Sequence, residues 1–260
     1  MSAGTFTPRP GAAPVSRMVL AQTALETRML LRNGEQLLLT VVIPAMLLVL
    51  FSAVDIVSVP LDAARGEEAV DFLAPGVIAL AVMSTAFTGQ AIATGFDRRY
   101  GVLKRLGASP LPRWALMAAK TLCVLVTEVL QIALLTAIAF ALGWSPQGGA
   151  LPAALLVLLG TAAFSGLGLL MAGTLRAEAT LAAANLVFLL LLVGGGVIVP
   201  IEKFPGAVQS VLELLPITAL SEGLREVLRY GAPMPWGDAA VLAAWAALGL
   251  GAAARFFRWE

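Results

Sequence analysis

The chain has 260 residues, of which 59% are hydrophobic and only 13% are charged, and its formal net charge is +1. A soluble domain of this length needs more charge to cover its surface, whereas lipid solvates the outside of a membrane-embedded helical protein. The sequence holds no histidine and one cysteine, which excludes histidine-ligated haem, histidine-containing zinc sites, histidine-based catalytic triads and an intrachain disulfide. The composition therefore predicts an all-α integral membrane protein.

The N-terminal region precedes the long apolar segments and divides into two parts. Residues 1–15 are rich in Pro, Gly, Ala and Thr, which predicts a disordered tail before a membrane domain over residues 16–260. Residues 16–35 mix apolar and charged positions, which predicts an amphipathic helix at the cytoplasmic interface. A plain cytoplasmic extension of the first span fits the same periodicity, and both alternatives stay open at this point.

Six segments have the length and apolar character of membrane spans, for which a helix needs about 20 residues. A short polar break at residues 175–180 separates the fourth from the fifth, which predicts a tight hairpin, with a single bent helix as the alternative. The predicted spans lie near residues 37–54, 72–95, 115–142, 151–173, 181–200 and 238–254.

The basic residues are unevenly distributed between the two sides of these spans. If the N-terminus is cytoplasmic, the inner segments hold 12 of the 17 Lys and Arg residues and the outer segments hold 4. The remaining one, Lys120, lies near the inner end of the third span, where its ammonium would snorkel to the interface. The positive-inside rule then predicts that both termini are cytoplasmic.

Five of the 17 basic residues lie in the loop FDRRYGVLKRLGASPLPR at 96–113. A loop that only fixes topology would explain the charge count. The pattern also predicts a short helix from Asp97 to Leu106, ended by Gly107, with Leu103 and Leu106 on one face and most of the charges on others. The Pro-Leu-Pro that follows redirects the chain into the third span. Such an element suits the docking of a partner protein.

This arrangement resembles the permease subunits of ABC-2 type exporters, which include drug-exporting and polysaccharide-exporting permeases of bacteria. A second similarity lies between the fifth and sixth spans: Pro200, then Phe204-Pro205, then LLPITALSEGLREVL at 214–228, in which a turn with Pro216 precedes a helix that carries Arg225. The resemblance covers residues 16–256. The matching positions of the first motif are Asp97, Arg98, Gly101, Leu103, Leu106, Ser109, Pro110, Leu111, Arg113 and Lys120.

The resemblance implies a permease in a bacterial plasma (inner) membrane, in contact with lipid and not with nucleic acid. Such permeases work as dimers, here with a second copy or a homologous chain, and join two ATP-binding subunits. No GxxxxGK[ST] phosphate loop occurs in the sequence, so ATP and Mg are expected on the partner ATPase, and no bound cofactor, metal or enzymatic activity is expected in this chain.

The resemblance also implies export from the cytoplasm or the inner leaflet. The short outer loops and apolar interior favour a hydrophobic cargo, such as a drug-like compound or a lipid, over a bulky polysaccharide. Residues 97–108 would form a coupling helix in a cleft of the ATPase, helped by the helix at 16–35. The residues assigned to ATPase coupling are Asp97, Arg98, Gly101, Leu103, Lys104, Leu106, Pro110 and Arg113.

Glu128 is the only acidic residue well inside a predicted span, where a carboxyl group is costly and normally faces protein or water. It marks a polar or proton-linked point on the transport path, or it is a protonated packing residue hydrogen-bonded to Gln131. The family places the dimer contact and the pathway along the first and fifth spans, and a glycine triplet in the fifth span allows close backbone approach or a bend. The candidate path or gating residues are Glu128, Gln131, Asn185, Gly194, Gly195 and Gly196.

Residues 201–230 predict two short helices with breaks at Pro205 and Pro216. In the family such helices dip into the outer leaflet and return, which implies an outer lid that includes Pro205, Pro216 and Arg225. An amphipathic surface loop that only packs on the spans is the alternative.

Two other function classes remain open from sequence. A membrane-embedded enzyme would need clustered ionisable residues at the midplane, where the sequence offers Glu128 almost alone. A non-transporting assembly protein would have no need of an ATPase-docking helix.

Overall fold

The computed structural model describes residues 13–32, 34–53, 68–108, 110–197 and 205–257. Within these ranges the chain forms α-helices and one π-helical turn, Ser84–Gly89, and no strand. The helices are α1 (Val15–Arg32), α2 (Gly34–Ala53), α3 (Ala69–Met83), α4 (Gln90–Arg99), α5 (Val102–Gly107), α6 (Arg113–Ala141), α7 (Ala150–Thr174), α8 (Ala177–Gly194), α9 (Gly206–Leu212), α10 (Pro216–Leu228) and α11 (Trp236–Phe256).

Among the residues that the structure describes, five helical segments are long and apolar enough to cross a membrane. One is the continuous helix Ala69–Arg99, which α3, the π turn and α4 build together, and the others belong to α6, α7, α8 and α11. The apolar part of α2, Thr40–Ser52, is shorter. This confirms the all-α integral membrane fold, with a shorter apolar helix at the place of the first predicted span.

The helix Ala69–Arg99 lies at the centre of the bundle. In its most apolar stretch of 18 residues, 94% of the residues are buried. The reason is that α2, α6, α7 and α10 all pack against α3. Leu73, Leu80, Met83 and Phe87 are among its buried side chains. In lipid, close packing of this kind stabilises a helix bundle, since lipid tails are as apolar as the side chains themselves.

Glycines bring α7 and α11 close together. A Cβ atom on Gly166 would lie 2.5 Å from the backbone nitrogen of Leu250, and one on Gly249 would lie 3.0 Å from the backbone nitrogen of Leu167. Any larger side chain at these positions would separate the two helices, so this crossing depends on small residues.

The fourth and fifth predicted spans are two separate helices. Leu175 and Arg176 both have extended backbone, with ψ of 159° and 152°. The alternative of a single bent helix is therefore wrong. Both α7 and α8 pack against α4. Only 17% of the residues of α8 are buried.

The N-terminal helix α1 runs beside the first half of α6. The Thr23 hydroxyl lies 3.4 Å from the Ala119 carbonyl oxygen, and Glu26, nearly one turn further along α1, reaches the neighbouring residue Lys120. This confirms a helix within residues 16–35. Residues 1–12 of the predicted tail lie outside the described residues. Apolar side chains that α1 leaves exposed are Leu20, Leu25, Met29 and Leu31.

Candidate functional site

The predicted docking helix is divided in two. The long central helix continues to Arg99, the backbone turns at Gly101 with φ of 71°, and α5 follows. A left-handed φ of this kind costs L-residues energy and suits glycine. The prediction of one helix from Asp97 to Leu106 is therefore wrong, and Gly107 is the last residue of α5 rather than a residue beyond it.

Leu103 anchors α5 to the bundle. Its side chain is fully buried in an apolar cluster with Val19 and Leu116, and Leu106 packs against the same cluster. The apolar face predicted for a partner therefore faces the chain's own helices. A partner at this end of the bundle, which we call the basic end, would meet the exposed residues Tyr100, Val102, Lys104, Arg105 and Pro110.

The arginines at the end of α4 bind the chain's own helices. Arg98 donates a hydrogen bond to the carbonyl of Leu175, the C-cap of α7, and Arg99 pairs with Glu178 in the first turn of α8. Both contacts hold α4 against the corner between α7 and α8. The predicted docking residue Arg98 therefore also has a structural role within the chain.

Lys120 joins three helices through two carboxylates. Its Nζ atom lies 2.8 Å from Asp97 Oδ2 at the end of α4 and 3.3 Å from Glu26 Oε2 on α1. The residue is 6% exposed, so its predicted snorkelling to the interface is wrong. A buried ammonium needs such partners, because an unpaired buried charge is strongly destabilising. Arg113, another predicted docking residue, is the first residue of the same helix α6.

A small pocket lined by both polar and apolar residues lies next to the Lys120 ion pairs. It has a volume of about 60 Å³ and is lined by residues of α1, α2, α4, α6 and the π turn. Gln90 and Thr94 line it, are buried, and their side-chain polar atoms have no hydrogen-bond partner in the described part of the chain. Buried polar groups normally bond to protein or ordered water, and this space has room for water.

Gln131 connects α6 to α2 and to the π turn. Its Oε1 accepts a hydrogen bond of 2.8 Å from Thr85 in the π turn, and its Nε2 donates one of 2.5 Å to the Thr40 carbonyl. The predicted hydrogen bond between Glu128 and Gln131 is therefore wrong. Single π turns within α-helices occur frequently at functional sites.

Glu128 instead contacts α7. Its Oε2 lies 2.5 Å from the Thr161 hydroxyl, while its Oε1 has no hydrogen-bond partner among the residues described. The residue is 1% exposed and lines a groove of about 560 Å³ between α6 and α7. Apart from this carboxyl group the lining is mostly apolar.

The other predicted path residues lie away from Glu128. Asn185 is exposed on α8, on the loosely packed surface of that helix. Gly194 ends α8, Gly195 caps it and Gly196 has φ of 67°, so the triplet ends the helix and does not bend it. A Cβ atom on Gly195 would lie 2.4 Å from the Ile217 side chain, so this glycine makes room for a side chain of α10.

The two predicted short helices after the fifth span are α9 and α10. Pro205 is the N-cap of α9, and Pro216 is the first residue of α10, where its missing N–H is not needed. α10 is inserted between α3, α7 and α11. The alternative of a surface loop is therefore wrong for α10.

Arg225 fixes α10 to the start of α3. Its guanidinium carbon lies 3.9 Å from the centroid of the Phe72 ring, and its Nη2 donates a hydrogen bond of 2.8 Å to the Val197 carbonyl. Its Nη1 pairs with Glu222, and the residue is 2% exposed. The family resemblance implies that Arg225 belongs to an outer lid, and in the structure its buried side chain connects α10 to α3.

The described residues contain no group of three or more His, Cys, Asp or Glu side chains placed to hold a metal ion. The ionisable residues of the described spans also form no cluster around Glu128, whose only hydrogen-bond partner shown is Thr161.

Comparison with known proteins agrees with this architecture. The sequence matches the ABC-2 type transporter family over residues 19–228, which extends from α1 to the end of α10. It is also 27% identical over 232 residues to YvfS of Bacillus subtilis (strain 168), a protein provisionally named a transport permease. That similarity covers 86% of this chain and 90% of the relative.

Proposed function

Because the chain belongs to the ABC-2 type transporter family, we propose that it is the membrane-spanning permease subunit of an ATP-driven exporter of hydrophobic cargo. The family implies that the chain works with a separate ABC ATP-binding subunit. In this proposal the partner binds ATP and Mg, and the permease moves a drug-like compound or a lipid out of the cytoplasm or the inner leaflet. Both termini face the cytoplasm.

The observation that carries the proposal is the way the basic end is built. α5 presents exposed Lys104 and Arg105 outward, while Leu103 and the Lys120 ion pairs connect this region to α1, α4 and α6. Force applied to α5 by a moving partner would therefore reach the membrane-spanning helices through packed side chains. A loop that served topology alone would have no need of these connections.

The second permease chain is proposed to pack against α2 and α8. These are the helices of the first and fifth predicted spans, and each exposes a stripe of large apolar side chains. A polar residue, Asn185, lies on the exposed surface of α8, where it has room to hydrogen-bond across a helix–helix interface. The exposed apolar residues are Val42, Ile43, Met46, Val49 and Leu50 on α2, and Leu186, Leu189, Leu190 and Val193 on α8.

The outer end of the path is proposed to open through α9, α10 and the end of α8. Pro205 and Pro216 mark the start of the two short helices, and Gly194–Gly196 meets α10 at its first turn. Arg225 would hold α10 on α3 while α9 moves. Gly195 at the end of α8 packs against Ile217 in α10, so a movement of either helix end would displace the other.

A pull-down of the tagged chain from its native membrane in mild detergent, followed by mass spectrometry, tests the proposal. We expect a stoichiometric companion that carries a phosphate-binding loop. The double variant Lys104→Glu, Arg105→Glu should lose this companion while its amount in the membrane stays unchanged.

Arg255→Glu is the matched control, because Arg255 is an exposed arginine near the end of α11 and is not part of α5. This control should retain the companion. A wild-type chain that comes down alone, or with biosynthetic or redox partners only, contradicts the proposal and favours a membrane enzyme or an assembly protein.

A further inference from the structure

The groove between α6 and α7 holds two buried polar atoms without a partner among the described residues. One is Glu128 Oε1 and the other is the indole Nε1 of Trp144. Both residues line the groove and are more than nine-tenths buried, at 1% and 6% exposed. Buried polar atoms are normally hydrogen-bonded, so two such atoms in one groove indicate a ligand that contacts both.

The groove has the size and the opening that a membrane-soluble ligand needs. Its volume of about 560 Å³ lies within the range of sites for drug-sized molecules. Val129, Phe140 and Leu158 line it and are exposed, so it opens at the side of the bundle. A molecule dissolved in the bilayer would enter without passing through water.

The two polar atoms lie at different heights along α6. From Glu128 to the end of the helix at Ala141 the axis rises about 20 Å, and Trp144 follows that end. Between them the lining is mostly apolar and includes Ile132 and Phe140, with the hydroxyl of Thr136 as the polar group on this part of α6. An elongated molecule with one polar group at each end would match this order of apolar and polar lining.

The surroundings of Glu128 suit both a charged and an uncharged carboxyl group. The Thr161 hydroxyl lies 2.5 Å from Glu128 Oε2 and 2.8 Å from the Val157 carbonyl oxygen, and it has a single proton to donate. When Glu128 is charged, Thr161 donates to it. When Glu128 is protonated, it donates to Thr161, which then donates to Val157.

We propose that the groove binds a lipophilic amine, with the protonated amine against Glu128, the apolar body along α6 and α7, and an acceptor oxygen at the Trp144 N–H. A cation is the ligand group that complements a buried carboxylate, and the pairing is strong where water is excluded. The amine fills the free position at Oε1, and Thr161 holds the other oxygen. The proposal rests on the proposed function in one respect: it takes lipophilic amines to be a class of cargo.

Equilibrium binding to the purified full chain in phosphatidylcholine nanodiscs tests the site. The probes are a tritiated amino-alcohol with a sixteen-carbon chain and the matched diol, in which a hydroxyl replaces the amine, and binding to empty nanodiscs is subtracted. We expect the wild type to bind the amino-alcohol at least about tenfold more tightly than the diol, as a charge-assisted hydrogen bond provides.

Glu128→Gln should reduce the affinity for the amino-alcohol to that for the diol. Ala133→Trp, at an exposed position of the groove lining, should weaken binding of both probes, because the new side chain fills the groove. Glu213→Gln, at an exposed carboxylate after α9, is the matched control and should change neither affinity.

Equal affinity of the wild type for the two probes would overturn the proposal. So would unchanged binding of the amino-alcohol by Glu128→Gln, or unchanged binding of both probes by Ala133→Trp. The latter variant keeps the test decisive even if the change at Glu128 impairs folding. No ATP-binding subunit is present in the assay, so failure of the ATPase pull-down and failure of this site are separate results.

Discussion

The ammonium group of Lys120 lies 2.8 Å from the carboxylate of Asp97, and this ion pair joins α6 to the end of α4 across 23 positions of the sequence. The chain between them contains α5 and the exposed basic surface, so the ion pair closes a loop around the proposed ATPase contact. Glu26 of α1 binds the same ammonium group, so α1 is connected to α4 and α6 at this point. A displacement of α5 would therefore pull on three helices together.

Replacing Lys120 by Met should lower stability and uncouple the basic end. The change leaves Glu26 and Asp97 without their shared cation, which costs about 2–3 kcal/mol, less than for a fully buried pair because the Asp97 side chain is 35% exposed. Thermal unfolding in detergent measures the loss. Adding Glu26→Gln and Asp97→Asn to Lys120→Met should recover part of the lost stability. If Lys120→Met alone is as stable as the wild type, the ion pairs do not stabilise the chain.

Leu103→Asp should prevent α5 from packing, whereas Val102→Asp should be tolerated. Leu103 is fully buried, so the new carboxylate has no access to water and costs at least about 3 kcal/mol. Val102 is 39% exposed in the same helix and serves as the matched position. Size-exclusion chromatography of both variants checks the difference, and equal yields of monodisperse protein would show that α5 is not anchored through Leu103.

Gly76→Ala should destabilise the junction between α3 and α10. The new Cβ atom would lie 2.7 Å from the Val197 carbonyl oxygen and 2.9 Å from Arg225 Nη2, so the clamp must move. Overpacking of this kind costs about 1–3 kcal/mol. Gly237→Ala is the control, since a Cβ atom there would meet no atom within 4 Å outside its own stretch of helix. The melting temperature of Gly76→Ala should fall below that of the control, and equal values would argue against a tight junction.

Thr85→Val should loosen the contact between the π turn and α6. Gln131 Oε1 loses the hydroxyl that donates to it, and a buried acceptor left without a donor costs about 1–3 kcal/mol. Thr174→Val removes a hydroxyl that bonds only to the backbone of its own helix at an exposed position, and it should have little effect. If chemical denaturation gives the same midpoint for both variants, Gln131 is held by Thr40 alone.

The long apolar helices were predictable because lipid imposes their length and composition. The third, fourth and sixth predicted spans agree with α6, α7 and α11 to within a few residues, since each is an apolar run bounded by Pro, Gly or charge. The fifth was predicted to extend to residue 200, because residues 197–200 are as apolar as a span, whereas α8 ends at Gly194. Gly196, with φ of 67°, shows that the glycine triplet ends the helix, whereas sequence alone allowed a bend.

The details of the candidate sites were less predictable, because they depend on which helices become neighbours. The apolar face of α5 suits a partner protein and the chain's own bundle equally well, and only packing shows that Leu103 points inward. Glu128 had Gln131 as its local candidate, but its partner is Thr161, 33 positions away on α7. Glu26 and Asp97 are acidic residues near the basic end. They are 94 and 23 positions from Lys120, so the sequence alone does not show that they pair with it.

The π turn at Ser84–Gly89 has a consequence for comparing this chain with its relatives. A π turn contains one residue more than an α-helical turn, so every residue after it is rotated by about 100° relative to an uninterrupted helix. Relatives with a regular helix here should align with a one-residue gap within 84–89. Removing one residue there would rotate Gln90, Thr94 and Asp97 off their present faces, so the insertion sets the orientation of the whole basic end.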